Sequence, residues 1–267
     1  MIIIGEKING SIPSMAKAIA EHDEERILSL AKKQSDVGAT YIDCCASVNE
    51  GEVETLSWMI DLIQSVTDTP ICVDSPNPRA ILDVIGKCKK TGVINSVSGE
   101  GDKIDLIFPA IADTTWKVVA LLCDDTGIPK NAQDRIRVLD NIMAEAKKYG
   151  IAQDRILIDP LVEMLCTSED GIAVLLEVIS YIKANYPEAH IVCAVSNISF
   201  NLPYRKIVNA AFTVLAMNAG MDAAVMDPLN RDLRGIIYAT EALKGDDYFC
   251  MEYVGAFREG IFGPVEG

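Results

Sequence analysis

Several features that often reveal a protein's class are missing from this chain of 267 residues. No apolar stretch approaches the roughly 20 residues that a membrane-spanning helix requires. The start of the chain, MIIIGEKING, has neither a basic leader region nor a cleavage site, so it is interpreted as a first strand rather than a signal peptide.

Positive charge is also in short supply. The chain has 24 lysines and arginines against 39 aspartates and glutamates, which gives a formal net charge of −15. A nucleic-acid groove requires clustered cations on one face, and an anionic membrane surface attracts cations in the same way. The composition therefore argues against nucleic-acid and membrane partners.

The patterns that hold metal ions are missing as well. There are only two histidines, His22 and His190, and the eight cysteines contain no Cys-x-x-Cys pair. The adjacent pair Cys44 and Cys45 has poor geometry for chelating one ion. Without a histidine cluster we expect no bound zinc or iron. The cysteines are interpreted as buried, reduced thiols of a cytoplasmic protein.

The sequence does contain a regular alternation of short apolar runs and helical segments. Eight runs predict strands: Ile2–Ile4, Thr40–Ile42, Ile71–Val73, Val93–Ile94, Val118–Leu122, Ile156–Ile158, Ile191–Val195 and Ala223–Met226. The segments with helical periodicity are Glu24–Val37, Val53–Ser65, Pro78–Lys89, Lys103–Asp113, Ala132–Tyr149, Glu169–Ala184, Tyr204–Ala219 and Leu229–Leu243.

Strand and helix alternating with short connections indicate parallel pairing through right-handed crossovers. Continuously apolar strands are typical of a sheet that is covered on both faces. Eight such units predict an α/β fold, a closed (β/α)8 TIM barrel that forms a single domain over residues 1–267, with an irregular tail from Tyr253 to Gly267. An open doubly wound sheet is the alternative, weakened because no Gly-x-Gly-x-x-Gly turn follows any strand.

Helix ends are also marked in the sequence. Four of the helical segments are predicted to end at a glycine just ahead of a strand, namely Gly38, Gly92, Gly150 and Gly220. Glycine is favoured at such an end because it adopts the left-handed conformation that terminates a helix.

Carboxylates and amides follow nearly every apolar run. They are Glu6, Asn9, Asp43, Asp74, Asn95, Asp124, Asp125, Asp159, Asn197 and Asp227. Any one of them is readily explained as a helix cap, but a barrel brings the carboxyl ends of all its strands to one rim. Such side chains suit a ligand that displays several N–H donors. Because neither a general-base histidine, a nucleophile with a partner nor a phosphate loop is evident, the site is predicted to act by positioning and electrostatics.

Six motifs on six different βα units carry a resemblance to a known family. They are IGEKING at 4–10, VDSPN at 73–77, INS at 94–96, TGIPK at 126–130, IDPL at 158–161 and VSNIS at 195–199. In this order they resemble the pterin-binding methyltransferases, which include methyltetrahydrofolate–corrinoid protein methyltransferases and the folate module of cobalamin-dependent methionine synthase. Dihydropteroate synthase is a more distant relative.

The resemblance implies that the barrel mouth binds the pterin of tetrahydrofolate or 5-methyltetrahydrofolate as substrate. On the matching positions, Asp74, Asn95 and Asp159 would hold the N–H edge of the pyrimidine ring. Asn197 would face N5 as the catalytic residue. The other implied pterin contacts are Glu6, Asn9, Asp43, Ser196 and Arg205. Arg205 would meet the folate tail, with a surface arginine at a helix start as the alternative.

The implied reaction is methyl transfer between N5 of tetrahydrofolate and the cobalt of a corrinoid, in an acetyl-CoA pathway or an anaerobic demethylation system. The Asp-x-His-x-x-Gly signature of cobalamin binding is absent, since Ala20 stands two residues ahead of His22. The cobalamin is therefore expected on a separate corrinoid protein that docks over the mouth. Barrels of this type commonly dimerise through outer helices, so a homodimer is expected.

Two departures from the family pattern leave alternatives open. Cys45 stands where the family often has the asparagine of an Asp-x-Asn motif, and Phe200 follows VSNIS where relatives can carry a polar residue. One alternative is a dihydropteroate synthase-like enzyme, disfavoured because the Gly-Gly-Glu-Ser and Arg-Pro loop patterns are absent. The other is a non-catalytic folate-binding subunit.

Overall fold

The structure is a computed structural model that describes residues 1–48 and 50–264. The domain predicted over 1–267 includes Asn49 and residues 265–267, which lie outside this range. The extent of the domain stays a prediction. Within the described ranges, no helix is both long and apolar enough to cross a membrane.

Eight parallel strands close into a barrel in which each strand pairs with its neighbour along the chain and the last pairs with the first. The strands are β1 (Ile2–Gly5), β2 (Tyr41–Cys45), β3 (Ile71–Asp74), β4 (Val93–Gly99), β5 (Lys117–Asp124), β6 (Ile156–Asp159), β7 (His190–Ala194) and β8 (Ala223–Met226). The predicted (β/α)8 TIM barrel is confirmed, and the open sheet is wrong. The seventh strand ends one residue early, because Val195 begins a short 3-10 turn over Val195–Ser199.

Helices surround the barrel. They are α1 (Pro13–Ala20), α2 (Glu24–Asp36), α3 (Glu52–Val66), α4 (Pro78–Ile85), α5 (Lys103–Ile111), α6 (Ala132–Lys148), α7 (Gly171–Asn185), α8 (Arg205–Ala219), α9 (Arg231–Lys244) and α10 (Met251–Arg258). The eight predicted helical segments correspond to α2 through α9. The short helix α1 was not predicted; it begins at a proline, and buries Met15, Ala18 and Ile19.

The prediction of an irregular tail from Tyr253 onward is wrong over residues 253–258, which belong to α10 (Met251–Arg258). The apolar side chains of Met251, Val254 and Phe257 recur at helical spacing, but they are exposed rather than packed on the barrel. No side-chain cap marks the start of this helix, since it begins after Cys250 in a left-handed conformation. The last part of the predicted tail, residues 265–267, lies outside the described residues.

The strands bury two different cores. Outward-facing residues pack against the helices, whereas a smaller cluster fills the barrel interior. The interior cluster includes Cys72, Val93, Val119, Leu157 and Val192. Because side chains alternate along a strand, the residue two positions beyond each of these also faces the barrel axis, nearer the carboxyl end.

Glycines Gly38, Gly150 and Gly220 adopt positive φ angles of 85°, 69° and 133°, as predicted for the ends of α2, α6 and α8. Gly92 does not, and the prediction that it ends a helix is wrong, because α4 already ends at Ile85. Gly92 is required for a different reason. A Cβ at this position would lie 1.9 Å from the carbonyl oxygen of Ile71, so only glycine allows this approach of β3 to the start of β4.

Replacing Gly92 by alanine should therefore lower the free energy of unfolding by about 1–3 kcal/mol, because the backbone must shift to relieve the clash. Urea unfolding followed by circular dichroism measures the change. The matched control is Gly86→Ala at the end of α4, where a Cβ meets nothing within 4 Å. That variant should be neutral or slightly stabilised. Equal stabilities for the two variants would contradict the assignment.

Candidate active site at the barrel mouth

A cavity of about 440 Å³ opens at the carboxyl ends of the strands. Its floor includes Val119, Val192 and Val225, which also belong to the interior core. All nine residues predicted for the site line this cavity: Glu6, Asn9, Asp43, Asp74, Asn95, Asp159, Ser196, Asn197 and Arg205. The volume lies within the range of about 300–1,000 Å³ that is usual for small-molecule sites.

The alternation of side chains explains why the acids and amides face inward. On β3, the interior residue Cys72 is followed two positions later by Asp74, and on β6 Leu157 is followed by Asp159. Asn95 on β4 lies opposite Asp74 in the register of the barrel. The apolar layer of the interior is thus covered by a polar layer at the mouth.

Three of the acids that follow strands in the sequence are not among the residues that line this cavity. Asp124 accepts a hydrogen bond from the Thr126 backbone N–H at 3.0 Å. Asp125 accepts one from the Gly101 N–H at 2.9 Å. Asp227 forms an ion pair of 3.1 Å with Lys7. These acids stabilise loops, so position after a strand alone does not identify a site residue.

Asn9 bridges two of the cavity carboxylates. Its Nδ2 donates to Asp43 Oδ2 at 2.7 Å and to Asp74 Oδ2 at 3.3 Å. Asp43 is only 1% exposed, and its Oδ1 has no hydrogen-bond partner among the described residues. Burial and the neighbouring Asp74 raise the pKa of Asp43 well above its usual range. Burial also raises the pKa of Asp74 to about 6. A buried acceptor without a partner is rare in a folded protein.

Asp159 and Glu6 face the cavity with partial support from the protein. Asp159 Oδ1 accepts the backbone N–H of Leu161 at 2.8 Å. Burial raises the pKa of Asp159 to about 6, although the Leu161 N–H and the charge of Arg135 act in the opposite direction. Ser196 Oγ donates to Glu6 Oε2 at 3.2 Å. Burial raises the pKa of Glu6 as well, and the Ser196 contact partly offsets this.

Arg205, the first residue of α8, is held against the turn that carries Asn197. Its Nε donates to Ser199 Oγ at 3.0 Å, and its guanidinium donates to the Ser196 carbonyl at 2.8 Å. The guanidinium carbon lies 4.6 Å from the centroid of the Phe200 ring. Arg205 is therefore both an exposed helix-start arginine and a residue of the cavity wall, so the two interpretations made from the sequence do not exclude each other.

Other residues of the cavity wall were not predicted. They are Ser11, Ile12, Pro13, Val119, Val192, Ala194, Phe200 and Val225. Phe200 was noted only as a departure from the family pattern. The valines were predictable, because the alternation of side chains along each strand directs them toward the barrel axis, next to the polar layer. Ser11 to Pro13 were not predictable in this way, because they belong to the loop before α1 and to the first residue of that helix.

The fold and the cavity define a TIM-barrel protein with a polar ligand site at the carboxyl-end rim. Residues 6–227 match the pterin binding enzyme family. The chain belongs to this family, which confirms the resemblance carried by the motifs. Every predicted site residue lies within the matched range; the roles of those residues toward a ligand stay predictions.

Two relatives illustrate the range of the family. The chain is 47% identical over 269 aligned positions to the methylcorrinoid:tetrahydrofolate methyltransferase of Eubacterium limosum, covering 100% of this chain and 99% of that one. It is 26% identical over 251 positions to the methionine synthase of Mycobacterium tuberculosis, covering 86% of this chain but only 21% of that protein. The first relative matches from end to end, whereas the second matches over one part of a much longer protein.

Solved structures of dihydropteroate synthases share the fold. The enzyme of Yersinia pestis superposes with a TM-score of 0.64 at 18% identity, over 84% of this chain and 90% of that chain. The enzyme of Xanthomonas albilineans in complex with 7,8-dihydropteroate gives a TM-score of 0.63 at 18% identity, over 92% and 93%. At this level of identity the likeness shows the barrel and nothing about the reaction.

The raised pKa of Asp159 predicts how stability depends on pH. Between about pH 4 and 6 the folded protein retains a proton on Asp159 that the unfolded chain has released, so this group lowers stability as pH rises. Asp159→Asn should remove that effect and still accept the Leu161 N–H. At pH 8 the variant should be more stable by on the order of 1–3 kcal/mol, and near pH 4 the two proteins should be nearly equal. Urea unfolding at both pH values tests this, and a variant that is less stable at pH 8 would contradict it.

Proposed function

We propose that this enzyme transfers a methyl group between the cobalt of a corrinoid on a separate protein and N5 of tetrahydrofolate. The observation that carries the proposal is the convergence of Asp74, Asn95, Asp159 and Asn197 on one cavity. The relative from Eubacterium limosum, whose name states the same pair of substrates, supports it along the whole chain.

The pterin is proposed to lie in the mouth above the valine floor. Its pyrimidine edge displays N–H groups, for which Asp74 and Asp159 are acceptors and Asn95 is an acceptor or donor. Asp43 is a further carboxyl group in the wall of the same cavity. Binding the N–H groups satisfies carboxylates that the protein itself leaves largely without donors, and this compensates for their desolvation.

The direction that we propose is from methylcorrinoid to tetrahydrofolate. The N5 lone pair forms the new N–C bond, the electron pair of the cobalt–carbon bond stays on cobalt as Co(I), and N5 releases its proton to solvent. Asn197 is proposed to face N5, where its amide oxygen accepts the N5–H as positive charge develops on the nitrogen. The protein thus supplies orientation and electrostatic stabilisation, without a covalent intermediate on its own residues.

The corrinoid partner is proposed to dock over the open mouth. Large apolar side chains on the loops after β5, β6 and β7 are exposed there, namely Ile128 at 48%, Leu165 at 46% and Phe200 at 42%. The backbone N–H of Leu165 donates to the carbonyl of Ile198 at 3.0 Å, so the loops after β6 and β7 are tied together. A joined, partly apolar rim beside the cavity suits a protein partner that delivers its cofactor to the pterin.

Homodimerisation is proposed through a C-terminal apolar surface. We define this surface as Leu243, Tyr248, Phe249, Met251 and Phe257, on the end of α9, on the 3-10 turn Tyr248–Cys250 and on α10. These residues are 85%, 80%, 81%, 67% and 52% exposed. Exposed apolar residues so close together are typical of a protein interface.

A cytoplasmic location is proposed because the eight cysteines are free, five of them buried, which suits a reducing compartment.

Two alternatives are separated by assay. A dihydropteroate synthase-like reaction has only the shared fold in its favour. A non-catalytic folate-binding subunit has in its favour Cys45 and Phe200, the two departures from the family pattern. Both alternatives predict that tetrahydrofolate is not methylated when it is mixed with the protein and methylcobalamin.

Tetrahydrofolate should therefore demethylate methylcobalamin in the presence of the protein, as followed by the cobalt absorbance. Asn197→Ala should lower kcat by about 10²–10³-fold with little change in the Kd of tetrahydrofolate, because the contact strengthens only as charge develops. Asn95→Ala is the matched control, since it removes another cavity amide and should weaken binding more than turnover. Wild-type protein that binds tetrahydrofolate without methyl transfer would favour the non-catalytic subunit.

A charge on the C-terminal apolar surface should disrupt the dimer. Sedimentation of the wild-type protein should give twice the mass of one chain, and Phe249→Glu should sediment as a monomer, because a carboxylate cannot be buried unpaired in an interface. The matched control is Leu165→Glu, an exposed apolar residue at the mouth, which should remain dimeric. A monomeric wild-type protein, or a dimer that survives Phe249→Glu, would contradict this interface.

A further inference from the structure

Arg135 on α6 is 0% exposed and is the largest fully buried side chain among the described residues. Its Nε donates to the Pro129 carbonyl at 3.0 Å, and its guanidinium donates to the Pro160 carbonyl at 2.6 Å and the Leu161 carbonyl at 2.8 Å. It also forms an ion pair with Glu163. Burying a guanidinium costs several kcal/mol, so such a residue is weak evidence for added stability alone.

The contacts of Arg135 lead directly to the cavity. The carbonyl of Leu161 accepts from Arg135, while the N–H of the same residue donates to Asp159 Oδ1 at 2.8 Å. Leu161 adopts a φ of 68°, which is unfavourable for a side chain with a Cβ and is retained only where surrounding contacts enforce it. Arg135 therefore enforces the backbone conformation that directs a donor at Asp159.

We infer that Arg135 is a positioning residue for Asp159: it fixes the Leu161 peptide against the carboxylate and holds that carboxylate in its charged form, with Glu163 limiting the effect. Its importance for catalysis rests on the function proposed above, in which charged Asp159 accepts the N–H edge of the pterin. The coupling between Arg135 and Asp159 is a property of the ligand-free protein and is testable without the pterin.

The groups around Asp159 determine the sign of the effect. The charge of Arg135 acts on Asp159 from α6. Glu163, on the loop after β6, pairs with Arg135 and also with Lys130, at 3.4 Å on the exposed side. The thiol of Cys193 on β7 is buried in the core between strands and helices, and its pKa is raised by burial and by the charge of Asp159. Because Arg135 is the cation behind the carboxylate, its removal should raise the pKa of Asp159, and removal of Glu163 should lower it.

The decisive experiment is a pH titration of ligand-free protein labelled with ¹³C at aspartate carboxyl carbons, with the Asp159 resonance assigned by its loss in Asp159→Asn. Arg135→Gln should move the midpoint up by roughly one unit or more. Glu163→Gln should move it down. Arg155→Gln is the matched control, because Arg155 donates to the carbonyls of Ile111, Ala112 and Trp116 at the opposite end of β6. It should leave the midpoint unchanged.

Shifts of opposite sign in Arg135→Gln and Glu163→Gln support the inference, since mere loosening of the loop would move both midpoints the same way. Unchanged midpoints, or shifts in one common direction, overturn it. If Arg135→Gln fails to fold, Arg135→Lys takes its place together with Glu163→Gln. Lysine retains the charge but not the paired contacts to Leu161 and Pro160, so the midpoint should rise by less than in a neutral variant and the tetrahydrofolate affinity should fall; wild-type values for both would overturn the inference.

Calorimetric titration of the wild-type protein with tetrahydrofolate separates this inference from the proposed function. Opposite midpoint shifts without tetrahydrofolate binding would leave the coupling intact and refute the function. If tetrahydrofolate binds but the Asp159 midpoint is unchanged in both variants, the coupling alone is refuted.

Discussion

The alternation of side chains along parallel strands is the constraint on which the whole site depends. In a closed barrel, every second residue faces the axis, and all eight strands run in the same direction. An apolar residue at one level, such as Leu157, therefore requires that the inward residue two positions later, Asp159, lies one level higher. A register slip of one residue would turn a carboxylate into the helix-packed core and an apolar side chain into the mouth. The register of these strands consequently determines both the packing of the core and the geometry of the site.

The acids gathered by this constraint repel each other and lose hydration, and the protein offsets the two costs by different means. Asp43 and Asp74 share the amide of Asn9, a neutral donor that approaches both without adding charge. Asp159 is instead supported by a backbone N–H, whose position is enforced from behind by Arg135. In neither case are the carboxyl groups fully satisfied, and burial still raises the pKa of Asp74 and Asp159 to about 6. Carboxylates that lack donors within the protein can accept N–H groups from a ligand, and this is how a preorganised site of this kind binds.

The positions of the strands and of the acids that follow them were predictable, because both depend only on short, continuous stretches of the sequence. Asp74 and Asn95 each follow a buried run directly, and neighbouring strands bring them opposite each other without further information. Arg135 was not predictable, because its environment is made by carbonyls of two separate loops, the one that leads into α6 and the one after β6. In the sequence, a buried arginine in a helix looks the same as an exposed one. Gly92 was misassigned for a related reason: its requirement comes from the carbonyl of Ile71 on another strand rather than from the helix before it.

The two departures from the family pattern acquire a physical meaning in this geometry. Cys45 is 6% exposed and lies beside Ser47, and the bridging of Asp43 and Asp74 does not depend on an amide at position 45, because Asn9 supplies one from β1's loop. Phe200 stacks on the guanidinium of Arg205, which in turn holds the Ser196 carbonyl next to Asn197. An aromatic ring over a cation that is fixed at both Ser196 and Ser199 stiffens the turn by a contact that a small polar residue cannot make. Both departures thus leave the polar layer intact, and the turn that carries Asn197, which is proposed to face N5, is held by the contacts of Arg205 with Ser196 and Ser199.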